Sequence, residues 1–199
     1  MTRLQKYILN EKTQSIFSTY TEDNLNDAID LIKKDCKPYL KLIKTPKRMA
    51  VRDEKRLQFF SKGYVRKDRR PKDTNIEVHE KLDKLFLEKF EWRARSNSVF
   101  TWIISGVMKP LFFPIGKFDY IWSPNVYDLY TDVHPEMGYD ELDDIVNTYH
   151  LNDGYHKVGN QEVMWRCKSY YLLDLRWTDI IATTKKRFFA STKERLFEK

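Results

Sequence analysis

The chain has 199 residues, of which 41% are hydrophobic, 33% charged and 15% aromatic. That is enough for one domain with a real core or at most two small ones, and much of that core has to be aromatic. The net charge of +7 suits an anionic partner such as nucleic acid, a nucleotide or an acidic protein surface; a lysine-rich coat that maintains solubility is the plainer reading of the same number. Cys36 and Cys167 are far apart and form no CxxC or Cys/His cluster, which argues against a zinc site and a disulfide framework. No apolar run approaches the roughly 18 residues that a bilayer span needs, and MTRLQKYILNEK lacks the apolar centre of a signal peptide. A soluble, reducing compartment with no membrane partner is expected.

Residues Thr2 to Tyr20 are polar with scattered apolar positions at Leu4, Ile8, Ile16 and Phe17, consistent with a helix or a docked arm. Thr21 reads as an N-cap with Glu22 and Asp23 in the first turn, and Leu25, Ala28, Ile29, Ile32 and Cys36 share one helical face before Pro38 stops the helix. Cys36 is expected to face the core. From Lys44 to Lys72 the chain is dense in cations, with Leu57, Phe59, Phe60 and Tyr64 interleaved. Arg and Lys neutralise phosphates and aromatics stack on bases, so Arg66, Lys67, Arg69 and Arg70 are candidate nucleic-acid contacts; a solvated loop anchored by its aromatics is the competing reading.

Asp73 or Thr74 is expected to cap a helix with Val78, Leu82, Leu85, Phe86 and Phe90 on one face, ending near Glu91. His79 borders that stripe as a structural histidine. The stretch from Arg93 to Pro124 then carries strand chemistry. It has apolar runs at Val99 to Ile104 and Leu111 to Ile115, a turn at Pro114 to Gly116, and Phe118, Tyr120 and Trp122 alternating with other residues. Ser123 and Pro124 punctuate its end and open a short helix through Val126, Leu129 and Tyr130. Asp140 begins the acidic first turn of another amphipathic helix (Leu142, Ile145, Val146, Tyr149), and helix-dipole complementarity explains its acids more simply than a metal does. Glu162 to Cys167 and Tyr170 to Leu175 read as two strands tightly joined at Lys168 and Ser169, paired in one sheet with the strands of 93–124. The tail reads as one basic helix. The class is therefore α+β, divided as residues 1–38 (helical), 39–175 (α+β domain) and 176–199 (basic helix).

No P-loop, GxGxxG, HExxH or GxSxG is present. The order of the remaining polar residues is more telling. An arginine lies ahead of Ser96, Asn97 and Ser98, which lead into Val99 and Phe100. Asn160, Gln161 and Glu162 lead into Val163 and Met164, and Tyr170 and Tyr171 lie on the return strand. This pattern resembles the Arg-Ser-Glu branch of the ADP-ribosyltransferase superfamily, over roughly Tyr39 to Leu175. The phrases RKDRRPKDT, RSNSVF, FPIGKFDYIWSP and NQEVMWRCKSYY also look like those of a group of tailed-phage proteins associated with this fold.

The resemblance implies an ADP-ribosyltransferase-like mixed β core and cleavage of the nicotinamide–ribose bond of NAD, with no metal. It implies that Glu162 stabilises the positive charge developing on the ribose, that Ser96, or else Ser98, holds that carboxylate, and that Arg48, with Arg52 as competitor, grips phosphate. Tyr120, Trp122 or Phe100 is implied to cover the nicotinamide. The partners implied are NAD and a host protein or nucleic acid, in host cytoplasm or a virion. A catalytically inactive virion or nucleic-acid-binding protein on the same fold is the alternative. A nucleic-acid-binding protein of some other α+β fold is a third reading. The segment from Thr101 to Pro110 is where the family pattern fits least well.

Overall fold

The computed structural model describes residues 13–52, 58–70, 75–103, 109–177 and 191–198. In chain order it contains β1 (Gln14–Phe17), α1 (Glu22–Asp35), α2 (Lys37–Ile43), a 3-10 turn (Pro46–Arg48), β2 (Phe60–Tyr64), α3 (Ile76–Phe90), β3 (Val99–Trp102), β4 (Leu111–Pro114) and β5 (Phe118–Trp122). α4 (Leu129–Asp132), α5 (Tyr139–Asn147), β6 (His150–Leu151), a 3-10 turn (Tyr155–Lys157), β7 (Glu162–Cys167), β8 (Ser169–Leu173) and a last 3-10 turn (Leu175–Trp177) follow. The protein is α+β. Its chain divides into two compact units, 1–64 with 104–118 and 167–199, and 65–103 with 119–166. Residues 13–38 fall in the same unit as β2, β4 and β8.

In the first unit the sheet order is β1-β2-β8-β4. Ile16 and Phe17, expected on a helix or arm, lie instead on β1, an edge strand whose Gln14 pairs with Lys62. Thr21 caps α1 as expected, its side chain accepting from the Asn24 amide at 3.0 Å, and Leu25, Ala28, Ile29 and Ile32 are buried. Pro38 does more than stop this helix. It sits in the first turn of α2, where its missing N–H removes no helical bond, so a second helix starts at once. The sheet is tied to α1 by the Tyr171 hydroxyl donating to Asp35 at 2.7 Å. Gly63 faces Tyr170 across the β2–β8 pair, and a Cβ there would stand 2.3 Å from the tyrosine ring, so the ring uses the space that only glycine leaves.

In the second unit the order is β3-β7-β5-β6. One face carries the apolar cluster of Phe100, Ile121 and Met164 with Val78, Leu82 and Phe86 of α3 and Leu142 and Val146 of α5. The cap of α3 is Asn75, whose side chain accepts from the Glu77 amide at 2.8 Å; Asp73 and Thr74, the expected caps, lie outside the described residues. Glu91 ends that helix in the left-handed region, φ 53°. The short helix expected after Pro124 begins only at Leu129, with Asp128 capping the Tyr130 amide.

Two expectations about the sheets need correction. β7 and β8 are not a hairpin in one sheet: β7 pairs with β3 and β8 pairs with β2 and β4. Lys168 alone separates them, and a two-strand reversal needs more turn than one residue supplies. The pairings β1/β2, β2/β8, β4/β8, β3/β7 and β5/β6 are all antiparallel, where a mixed β core was expected. In each pair the second strand returns against the first, with hydrogen bonds perpendicular to the strands. Of the expected C-terminal basic helix, residues 191–195 are helical and 178–190 lie outside the described residues, as do 104–108 of the segment between Thr101 and Pro110.

Candidate active site

Glu162 opens β7, and its amide donates to the Tyr127 carbonyl at 2.8 Å. Across the β3–β7 pair Trp102 opposes Glu162 and Phe100 opposes Met164. Directly opposed side chains share a face, which places Glu162 on the same side of the sheet as the α3–α5 cluster. The residue is 6% exposed, and Oε2 of its carboxyl has no hydrogen-bond partner among the described residues. The Arg95 Nη1 stands 3.9 Å from that atom. Burial pushes the carboxyl up to about 7; the Arg95 guanidinium opposes this, Asp128 adds to it, and Arg69 and a backbone hydrogen bond from Leu129 pull down. A carboxyl that changes charge near neutrality, with one oxygen unmatched, is suited to meet a ligand that brings a donor or a developing positive charge.

Two arginines reach this place for identifiable reasons. Asp83, 1% exposed on α3, accepts from the Arg95 amide at 2.8 Å and the Ser96 amide at 3.1 Å, and takes the Ser96 hydroxyl proton on Oδ2. The same carboxylate stands 3.5 Å from Arg93 Nη2 and 3.6 Å from His79 Nε2. It therefore fixes the backbone of the turn after α3 and aims Arg95. The basic run 66–70 is joined to that turn by the Arg69 amide donating to Ser96 O and the Asp68 amide donating to the Asn97 side chain, both at 2.9 Å. Arg69 and Arg95 consequently both stand over the Phe100 ring, at 4.7 and 5.1 Å from its centroid. Cations over an aromatic face are attracted by its quadrupole, so the ring holds both guanidiniums beside the carboxyl.

His79, Ser96 and Asp83 have the residue types of a nucleophilic triad but not its connectivity. Asp83 accepts the serine proton directly, so the His79 ring, 3.0 Å away at Nε2, can only donate to the Ser96 oxygen. Ser96 is 2% exposed. Burial lowers the affinity of His79 for a second proton, against the pull of Asp83. The three groups form a lock on the turn rather than an activated nucleophile.

The residues singled out by sequence fall in both compact units. Ser96 and Ser98 lie near the start of β3, but their protons go to Asp83 and to the Ala94 carbonyl, so neither donates to Glu162. Arg48, in its 3-10 turn, and Arg52, buried over the Tyr170 ring at 5.6 Å, belong to the first unit, whereas Glu162 and both serines belong to the second. The guanidiniums set beside Glu162 are Arg95 and Arg69. Tyr120 and Trp122 do not offer a ring to this site. Tyr120 packs on Trp165, whose position on β7 puts it on the face opposite Glu162, and Trp122, two residues on from Tyr120, shares that side, donating to Asp153 O and packing at a tilt on His150. The rings that β3 presents on the Glu162 face are Trp102, directly opposite it, and Phe100.

Of the basic run, Arg69 joins the site, Lys67 and Arg70 are exposed, and Arg66 is half-buried. Phe59 and Phe60 are buried and so unavailable to bases. Cys36 is fully buried with its thiol pushed up by burial, and burial pushes the Cys167 thiol up to about 12. Among the described residues no group of three His, Cys, Asp or Glu could hold a metal ion, and no helix is long and apolar enough to cross a membrane. Arg95 and Asp83 escaped sequence reasoning. Nothing in RARSNS or in a helix-borne Asp shows which of several charges will be buried. No family model, curated protein or solved structure matches the chain.

Proposed function

We propose that the protein is an NAD-dependent ADP-ribosyltransferase acting on a host protein or nucleic acid, with Glu162 as its catalytic carboxylate. What carries the reading is the Glu162 carboxyl itself: buried at the first residue of a strand, one oxygen without a hydrogen-bond partner among the described residues, and flanked by a guanidinium 3.9 Å away. These groups suit NAD. The open oxygen can accept from a ribose hydroxyl and faces the positive charge that grows on the sugar, while Arg95 and Arg69 present donors of the fork geometry that phosphate oxygens take. In the transfer the bond between nicotinamide and the ribose C1′ breaks with its electron pair leaving on nicotinamide. A lone pair of the acceptor forms the new bond to C1′, and the acceptor's proton passes to solvent. The carboxyl must be ionised to help, so transfer rises with pH through about 7.

The test is incubation of the protein with labelled NAD and a host lysate, alongside Glu162→Gln. The amide keeps the shape and removes the charge, so label transfer and nicotinamide release should fall by a factor of about 100 or more. Equal rates in the two proteins would end the assignment. A second reading, an ADP-ribosyltransferase-like virion or nucleic-acid-binding protein without activity, is favoured by one observation: both serine hydroxyls are committed away from Glu162. It expects no NAD turnover by either protein, and retention on nucleic acid that weakens steeply with salt.

A further inference from the structure

The protein is basic overall, yet its charge is unevenly distributed. Residues 118–156 contain nine Asp and Glu and no Lys or Arg, while the remainder carries 36 Lys and Arg against 20 Asp and Glu. This acidic span includes the segment that touches Glu162. The Tyr127 carbonyl accepts the Glu162 amide, and the Leu129 backbone donates to the Glu162 carboxyl. Between and beyond those two contacts the chain turns its aromatic side chains outward: Tyr127 is 53% exposed and Tyr130 54%.

The turn that carries the two tyrosines is held by local hydrogen bonds. Asp132 Oδ2 accepts from the Tyr127 amide at 2.6 Å and the Asp128 amide at 3.1 Å, and Asp128 Oδ1 accepts from the Tyr130 amide at 2.9 Å. Two acids are thus spent on holding a tight backbone whose exposed products are two aromatic rings. Large exposed aromatics cost solubility and are over-represented where partners dock. Glu136, Asp140, Glu141 and Asp144 continue the span with exposed carboxylates, and the orphan Oε2 of Glu162 lies at its inner edge.

We propose that the Tyr127–Tyr130 turn and the acidic span around it form the docking surface for the acceptor, and that this acceptor is a lysine- and arginine-rich protein segment. The inference rests on the transferase reading above and names its substrate class. Carboxylates attract the cationic segment over a Debye length of about 8 Å, and exposed tyrosine faces take Arg and Lys side chains by cation–π contact. Nucleic acid fits poorly, because its phosphates would meet the exposed carboxylates of Glu136, Asp140, Glu141 and Asp144. The basic run 66–70 is accounted for separately, with Arg69 held against Phe100 beside Glu162.

The test measures docking without chemistry. Fluorescence anisotropy of a labelled Arg/Lys-rich peptide, an Asp/Glu-rich peptide of equal length and a single-stranded oligonucleotide is followed against the full chain in the absence of NAD. The variants are Tyr127→Ala with Tyr130→Ala, and Glu136→Gln with Asp140→Asn and Asp144→Asn. The basic peptide should bind, and weaken about tenfold or more in each of the two variants. Basic-peptide binding that is unchanged in the tyrosine and amide variants overturns the surface, as does oligonucleotide binding that both variants weaken. Docking as expected with no NAD-dependent labelling would remove the transferase reading and leave the surface standing. Labelling that depends on Glu162 but ignores the tyrosines and the charge of the acceptor would do the reverse.

Discussion

Glu162→Gln should change the pH dependence of stability by an amount that follows from the carboxyl's environment. In the folded protein burial holds this group near 7, against an ordinary value of 4.5. Below pH 4.5 the carboxyl is protonated whether the chain is folded or not, and it contributes no pH dependence. Between 4.5 and 7 the unfolded chain releases a proton that the folded chain keeps, so stability falls as pH rises; above 7 both forms are ionised and the loss is complete. At 1.36 kcal/mol per unit the full loss is about 3 kcal/mol. Glutamine has no proton to release.

The assay is therefore comparative. Urea unfolding of both proteins is measured at pH 4.5 and pH 8, where all other titrating groups are shared and cancel in the difference. The variant should gain about 3 kcal/mol on the wild type between the two conditions, or about 1.5 M in midpoint for a slope of about 2 kcal/mol per M. A gain below about 0.5 kcal/mol would mean that the carboxyl is solvated, and the argument for a functional Glu162 would fall with it.

Asp83→Ala should cost about 3 kcal/mol or more in the same unfolding assay, because it strips two amides, a hydroxyl and the Arg93 cation of one buried acceptor; a loss under about 1 kcal/mol would show that the lock on the 93–98 turn is dispensable. Gly63→Ala should destabilise by about 1–3 kcal/mol, since a Cβ would stand 2.3 Å from the Tyr170 ring. Adding Tyr170→Leu should recover part of that loss, and a neutral Gly63→Ala would refute the close approach of ring and backbone.

Local features were readable because they depend on neighbours in the chain. The Thr21 cap, the apolar stripe of α3 and the strand character of 99–102, 111–114 and 118–122 follow from propensity and periodicity over a few residues. Pro38 and Asn75 show the limit of the same rules. A proline that stops one helix opens the next, and the cap of α3 is Asn75, whose side chain accepts from the Glu77 amide. Tyr120 and Trp122 show another: alternation said that they share a face, but not which face holds Glu162.

The α+β class, the position of Glu162 at the head of a strand, and the presence of Ser96 and Ser98 just ahead of another were all legible in the order of residues. It took the packed chain to show that β7 and β8 enter different sheets, and that Arg95 and Arg69 stand beside Glu162. The packed chain also decided that the serine protons go elsewhere. The reason is physical. Propensity acts over a turn of chain, whereas the burial of a charge and the choice of its partner depend on groups such as Asp83, Phe100 and Arg69, which lie 62 to 93 positions from Glu162 in sequence and come together only through packing.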